Sequence, residues 1–236
     1  MEHGTKLTTT EAAARIAELK PRFFSGLSAS EMNTVVNAAE CRRFSANSVI
    51  LHQGRPAGTV VLLLRGEART AFTTKQGQRL LLRWLPAGEV LGLAALLPNA
   101  SQYFVNTEAV KESWGLVWER ATIRGLARRY PAIWENAFAI VSEGLAGYLT
   151  AHVSQTRHTA PQRLARALVD LASAVGHRTS AGIELGLRNE DLANAANVTQ
   201  FTASRVLNEW QRNGLVTKTR GKIVLRSLES LLLHEI

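Results

Sequence analysis

The chain has 236 residues, 46% of them apolar and 20% charged, with one cysteine and a formal net charge of +9; this excludes a disordered polypeptide and favours two medium domains with a connecting helix over one large core. Cys41, standing alone, excludes an intrachain disulfide, a zinc knuckle and a four-cysteine iron–sulfur cluster, and no apolar run approaches the roughly 20 residues of a membrane span, so a cytoplasmic protein without membrane contact is expected. The basic balance suits a polyanionic partner without locating it, because residues 1–160 carry +6 and residues 161–236 carry +3.

Thr10–Leu19 and Ser30–Ala39 read as helices, the second with Ser28 or Ser30 as its cap. From about Arg42 to Glu119 the chain turns to short apolar runs, Val60–Leu64 and Leu80–Leu85 among them, punctuated by glycines at positions 54, 58, 66, 77, 88 and 92. Turn sequences such as Gln53-Gly54-Arg55-Pro56 and Lys75-Gln76-Gly77-Gln78 separate them, which predicts antiparallel strands closing into a barrel or roll. After Pro131 comes a proline-free stretch with Ile133, Ala137, Ile140, Gly144, Tyr148 and Ala151 at helical spacing, beside a second row of Trp134, Phe138, Val141, Leu145 and Leu149. A helix of about 25 residues spans roughly 37 Å, more than a small domain needs. Pairing with a second copy is therefore expected, through Ile133, Ala137, Ile140, Val141, Gly144 and Tyr148; the alternative is a helix packed only on its own β domain. Thr159 with Gln162 forms a capping-box signature for a helix from Pro161 to about Val175, making Arg157–Pro161 a hinge. The divisions read 1–130, 131–158 and 159–236.

Residues 187–211 have the pattern of a helix-turn-helix. Leu192, Ala193 and Ala196 face inward on a short first helix, Asn197-Val198 makes the turn, and Thr199 caps a second helix that buries Ala203, Val206, Leu207 and Trp210. Its opposite face carries Gln200, Phe201, Ser204, Arg205 and Asn208, side chains able to reach bases or phosphates. Arg205 is the strongest candidate, because a guanidinium bonds guanine O6 and N7 together. Thr199 and Thr202 sit where a helix N-terminus meets a phosphate. Gly214–Thr217 and Ile223–Leu225 read as two strands joined by Lys218-Thr219-Arg220-Gly221-Lys222, a basic wing in which Lys218, Arg220 and Lys222 are candidate DNA contacts. Between Ala196 and Arg226 six basic residues face Glu209 alone, so this window holds +5.

In this order, with Ile50-Leu51-His52-Gln53-Gly54, Leu64-Arg65-Gly66-Glu67, Leu85-Pro86-Ala87-Gly88-Glu89-Val90-Leu91-Gly92 and Val198–Leu207, the chain resembles the cAMP-receptor-protein/fumarate–nitrate-reduction (CRP/FNR) family of bacterial transcription regulators over about residues 20–230. The resemblance implies an α+β fold: an N-terminal cyclic-nucleotide-binding-like β roll, a double-stranded β-helix or jelly roll, then a long dimerisation helix and a C-terminal winged helix-turn-helix. It implies a homodimer on a palindromic double-stranded DNA site, RNA polymerase as a further partner, and a small-molecule effector of unknown identity.

Departures from the family pattern bear on that effector. Nucleotide-binding members hold the ribose with a Gly-Glu pair and the cyclic phosphate with an Arg-Ser pair; the matching positions here are Gly92-Leu93 and Tyr103-Phe104. A buried phosphate without a cation is costly, so cAMP is not expected unless Arg69, Arg79 or Arg83 replaces the lost charge. Leu93, Tyr103, Phe104, Tyr148 and Leu149 are candidates to line an apolar pocket, the alternative being a collapsed core at a vestigial site. No metal and no cofactor is expected; haem on His52, His152 or His158 is the alternative, giving a gas-sensing regulator on the same scaffold. Where many members read cytosine with a Glu, this chain has Phe201, which suits a thymine methyl. Catalytic spacings are absent, so an enzyme is not expected.

Overall fold

The structure, a computed structural model, describes residues 9–77, 79–99, 102–219 and 221–234, with backbone only for residues 9, 10, 150–157 and 232–234; Gln78 and Arg220, and the side chains of Ala151, His152 and Arg157, thus lie outside the described residues. Helices α1 (Thr9–Leu19) and α2 (Ala29–Asn37) precede strands β1 (Glu40–Phe44), β2 (Val49–Leu51), β3 (Thr59–Arg65), β4 (Glu67–Thr73), β5 (Arg79–Pro86), β6 (Val90–Leu91), β7 (Asn106–Ala109) and β8 (Ser113–Glu119). Next come α3 (Arg120–Arg129), α4 (Ala132–Arg157), α5 (Ala160–Val175), β9 (His177–Thr179), β10 (Gly182–Leu185), α6 (Asn189–Ala195), α7 (Gln200–Arg212), β11 (Val216–Thr219), β12 (Lys222–Leu225) and α8 (Leu228–His234). The chain divides into two units, one ending at Thr73 and resuming from Leu85 to Ala146, the other made of Thr74–Trp84 and the chain from Gly147 onward.

Two antiparallel sheets, in the orders β1-β8-β3-β6 and β2-β7-β4-β5, belong to the first unit except for residues 79–84 of β5. Val60–Leu64 on β3 are all buried, which is why the strand reads as a continuous apolar run: a strand covered on both faces does not alternate. Helices α1 and α3 lie against it, and the Arg15 guanidinium donates to the Leu64 carbonyl at 3.2 Å. Gly66 makes the turn to β4 at φ +98°, where a Cβ would fall 2.7 Å from the Glu112 carbonyl oxygen, so no other residue fits. Ser28 caps α2 through a capping box with Glu31, and the indole of Trp118 on β8 donates to the Val35 carbonyl of that helix at 2.7 Å. Helix α3 is not expected from the sequence; its interior Gly125 and four arginines hide a helix whose buried stripe is Ile123 and Ala127.

Helix α4 runs for 26 residues from Ala132, and its two apolar rows part company. Ile133 and Ala137 are buried in the core of the first unit, with Ile140 packed partly against it. The second row stays outside: Phe138 is 75% exposed, Leu145 59% and Leu149 60%.

In the second unit Thr159 and Gln162 form the expected capping box and α5 starts one residue before Pro161. Leu164, Leu168 and Leu171 of α5 are buried, packed with α6 and α7. A four-stranded sheet, β11-β12-β10-β9, completes the winged unit; its β9–β10 hairpin escapes a sequence reading because β9, His177-Arg178-Thr179, is exposed throughout and has no apolar alternation to betray it.

Candidate nucleic-acid interface and effector site

Helix α6 begins where the Asp191 carboxylate accepts the backbone N–H of Arg188 at 3.2 Å and its guanidinium Nε at 3.3 Å. The turn to α7 requires one left-handed residue, and Asn197 supplies it at φ +51°; asparagine tolerates that conformation better than any other residue but glycine. Thr199 then caps α7, its Oγ1 accepting the Thr202 N–H at 3.1 Å, with the two hydroxyls 2.9 Å apart. At the other end Gly214 takes φ +72°, and the Leu215 N–H returns to the Trp210 carbonyl at 2.9 Å. This reversal lays β11 beside α7.

The buried side of α7 is Ala203, Val206, Leu207 and Trp210, as its periodicity predicts. The outward side presents Gln200, Phe201, Arg205 and Asn208 exposed, with Thr202 and Ser204 half-buried beside them. Phe201 is 80% exposed. Leaving a phenyl ring in water forgoes about 1.5–3 kcal/mol of burial. Arg205 has no hydrogen-bond or ion-pair partner among the described residues, so its fork of donors is available to a ligand. Asn208 is already engaged: its Oδ1 accepts from Lys218 Nζ on β11 at 2.9 Å, a link between wing and recognition helix that the sequence does not signal.

The wing is tighter than expected. Thr219 pairs directly with Lys222, so Lys218, Thr219 and Lys222 belong to the strands, and the connection shrinks to positions 220 and 221. Lys222 is not free, since its ammonium lies 2.8 Å from Glu184 on β10. Arg220 lies outside the described residues. A further side chain that sequence reasoning missed is Arg163 of α5, whose guanidinium reaches the carbonyls of the helix-turn-helix turn.

The candidate effector residues are divided between the two units. Tyr103 is in the core of the first unit, its hydroxyl donating to the Thr59 carbonyl at 2.9 Å and accepting the Thr59 N–H at 2.8 Å. Its ring closes over Gly92, where a Cβ would lie 3.3 Å from Tyr103 Cε1 and 2.6 Å from the Thr59 carbonyl oxygen. Leu93 packs partly against the same core, whereas Phe104 is 68% exposed. Tyr148 and Leu149 fall in the second unit, both exposed. Arg69 is buried, but its guanidinium is matched by Glu108, directly opposite on β7 and 3.4 Å away. Arg79 and Arg83 are exposed. Of the histidines, His52 is exposed and His158 half-buried; among the described residues no three His, Cys, Asp or Glu side chains are grouped as metal ligands, and no helix is long and apolar enough to cross a membrane.

Residues 41–130 match the cyclic nucleotide-binding domain family and residues 162–233 the Crp-like helix-turn-helix domain family. The chain is 27% identical over 213 residues to the cyclic AMP receptor protein of Thermus thermophilus, covering 90% of this chain and 95% of that protein. It is likewise 27% identical to the transcriptional regulator LdrP of the same organism, over 80% of this chain and 94% of the relative. Among solved structures, the global regulator CLP of Xanthomonas campestris superposes with a TM-score of 0.75 at 19% identity, over 85% of this chain and 100% of that one. With a cyclic nucleotide-binding fold followed by a Crp-like helix-turn-helix, the chain belongs to the CRP/FNR family of transcription regulators.

Proposed function

We propose that the protein is a homodimeric regulator that reads a palindromic double-stranded DNA site, and that its β roll does not bind cAMP in the manner of nucleotide-responsive members. The observation that carries the DNA reading is α7, whose outer face offers Gln200, the exposed Phe201 and the unpartnered Arg205 above a buried core of its own. Dimerisation rests on the exposed row Trp134, Phe138, Val141, Leu145 and Leu149, whose intervals of four, three, four and four residues keep it on one helix face. Because Ile133 and Ala137 are spent on the chain's own core, the pairing seam is narrower than the full apolar stripe and lies on the second row, together with Tyr148. Gly144 fits beside that row.

The effector reading rests on Tyr103. Where nucleotide-binding members need a cation for the phosphate, this chain has a phenol committed to Thr59, and the buried Arg69 answers Glu108. Neutralising a phosphate there would break that pair. The protein then works in the cytoplasm, with RNA polymerase as a further partner, and either responds to another class of molecule or binds DNA without one.

Fluorescence anisotropy against a palindromic library, across salt concentrations, tests the DNA reading. A steep fall of affinity with salt and a preferred palindrome are expected; affinity indifferent to sequence refutes it. Sedimentation of Leu145→Asp should give a monomer where the native chain is a dimer. Calorimetric titration with cAMP, and with cyclic di-GMP, to which the Xanthomonas regulator is described as responsive, tests the effector site; saturable binding of cAMP overturns the assignment of Tyr103. An absorbance spectrum lacking a Soret band disposes of haem.

A further inference from the structure

The break between α4 and α5 consists of His158 and Thr159. Two residues with free dihedrals suffice to let a long helix swing relative to its successor. One side chain opposes that swing. Arg163, one turn into α5 and half-buried, donates from Nη1 to the His158 carbonyl at 2.8 Å, from Nε to the Ala196 carbonyl at 3.1 Å, and from Nη2 to the Asn197 carbonyl at 3.4 Å. Ala196 and Asn197 are the turn of the helix-turn-helix, where the last carbonyls of α6 have no helical partner. The first acceptor lies at the break, and the other two are more than 30 residues away in sequence.

We propose that Arg163 is a positioning residue that locks the α4–α5 break to the turn preceding the recognition helix, so that the end of α4 and α7 move as one body. Helix α5 is already fixed to α6 and α7 by Leu164 and Leu168. The remaining freedom is rotation about residues 158 and 159, and the bond to the His158 carbonyl restrains it. A guanidinium suits this role because its donors lie in one rigid plane, so three backbone points are held by a single side chain. Lysine, with one charged nitrogen on a flexible stem, cannot span all three.

This rests on the proposed binding of a dimer to a palindrome, and the spacing between half-sites is the readout. Inserting or deleting one base pair turns one half-site by about 35° relative to the other. The native dimer should lose about tenfold or more in affinity on that change. In Arg163→Ala the penalty should shrink to about threefold, with base preference inside each half-site unchanged, and Arg163→Lys should fall between. Circular dichroism checks that each variant is folded; if the alanine variant is not, the lysine variant carries the comparison. Native-like strictness in a folded variant overturns the lock while leaving the DNA reading intact, as does an altered base preference, which would make Arg163 a support for the turn alone. A native protein indifferent to spacer length overturns both the lock and the dimeric reading.

Discussion

The two units carry their charge differently. In the first, six basic side chains are answered from within: Arg15 by Glu18, Arg22 by Glu143, Arg42 by Glu40, Arg43 by Glu112, Lys111 by Glu67, and the buried Arg69 by Glu108. On the recognition helix Arg205 is exposed and has no partner among the described residues. The first unit holds 14 basic and 12 acidic residues, a net +2, and the second 14 and 7, a net +7, so the second both holds the larger excess and leaves an arginine open to a ligand. Net charge counts protons, whereas recognition depends on donors left without an acceptor, and only the pairing distinguishes the two.

Substitutions on either side can break this contrast. The largest effect is expected from Arg69→Ala, which removes the ion pair with Glu108 from the β roll; unfolding stability should fall by about 2–3 kcal/mol, read by denaturant titration, with half-site preference untouched. Arg205→Ala should do the reverse, costing about 1–3 kcal/mol of DNA binding and the discrimination at one base pair, with the thermal midpoint nearly unchanged. If both variants lose stability alike, the division between paired and unpaired arginines is mistaken. Phe201→Glu should move the preferred base opposite that position from T toward C in a binding-site selection, at a cost of about 1–2 kcal/mol on the original site. Lys222→Ala should lower the salt slope by at most about 1, because its ammonium is already shared with Glu184; a larger change would mean that the pair opens on DNA.

The smallest effect concerns the exposed pair Arg43–Glu112. The hydrogen bond from Arg43 holds the Glu112 carboxyl below the usual carboxylate range. A lowered pKa in the folded state gives a contribution that is complete at neutral pH and is lost as pH falls through and below that range. Arg43→Ala should leave stability at neutral pH almost unchanged while the Glu112 resonance, followed by NMR, titrates at higher pH than in the native chain.

Much of this architecture is legible in the sequence because it is governed by local physics. The Thr159–Gln162 capping box, the left-handed turn at Asn197, and the inward row Ala203, Val206, Leu207 and Trp210 each arise from contacts within a few residues. Strand β3 is visible because a strand buried on both faces must be apolar throughout. Helix α3 and the β9–β10 hairpin are not, since one hides its buried stripe among arginines around Gly125 and the other is exposed at its first strand.

Other features depend on groups distant in sequence, and only the tertiary structure could decide them. Periodicity shows that α4 has two apolar rows; the packing of Ile133 and Ala137 into the first unit's core is what leaves Phe138, Leu145 and Leu149 outside. Composition shows an excess of arginine, whereas its neutralisation rests on strand register, which sets Arg69 opposite Glu108 and Arg43 beside Glu112. An arginine at position 163 looks like any solvated helix residue until the turn at Ala196 and Asn197, more than 30 residues on, folds back to meet it. The sequence by itself determines the elements and their caps, because those contacts are local; which charges are spent and which surfaces stay free is settled by where the chain returns to itself.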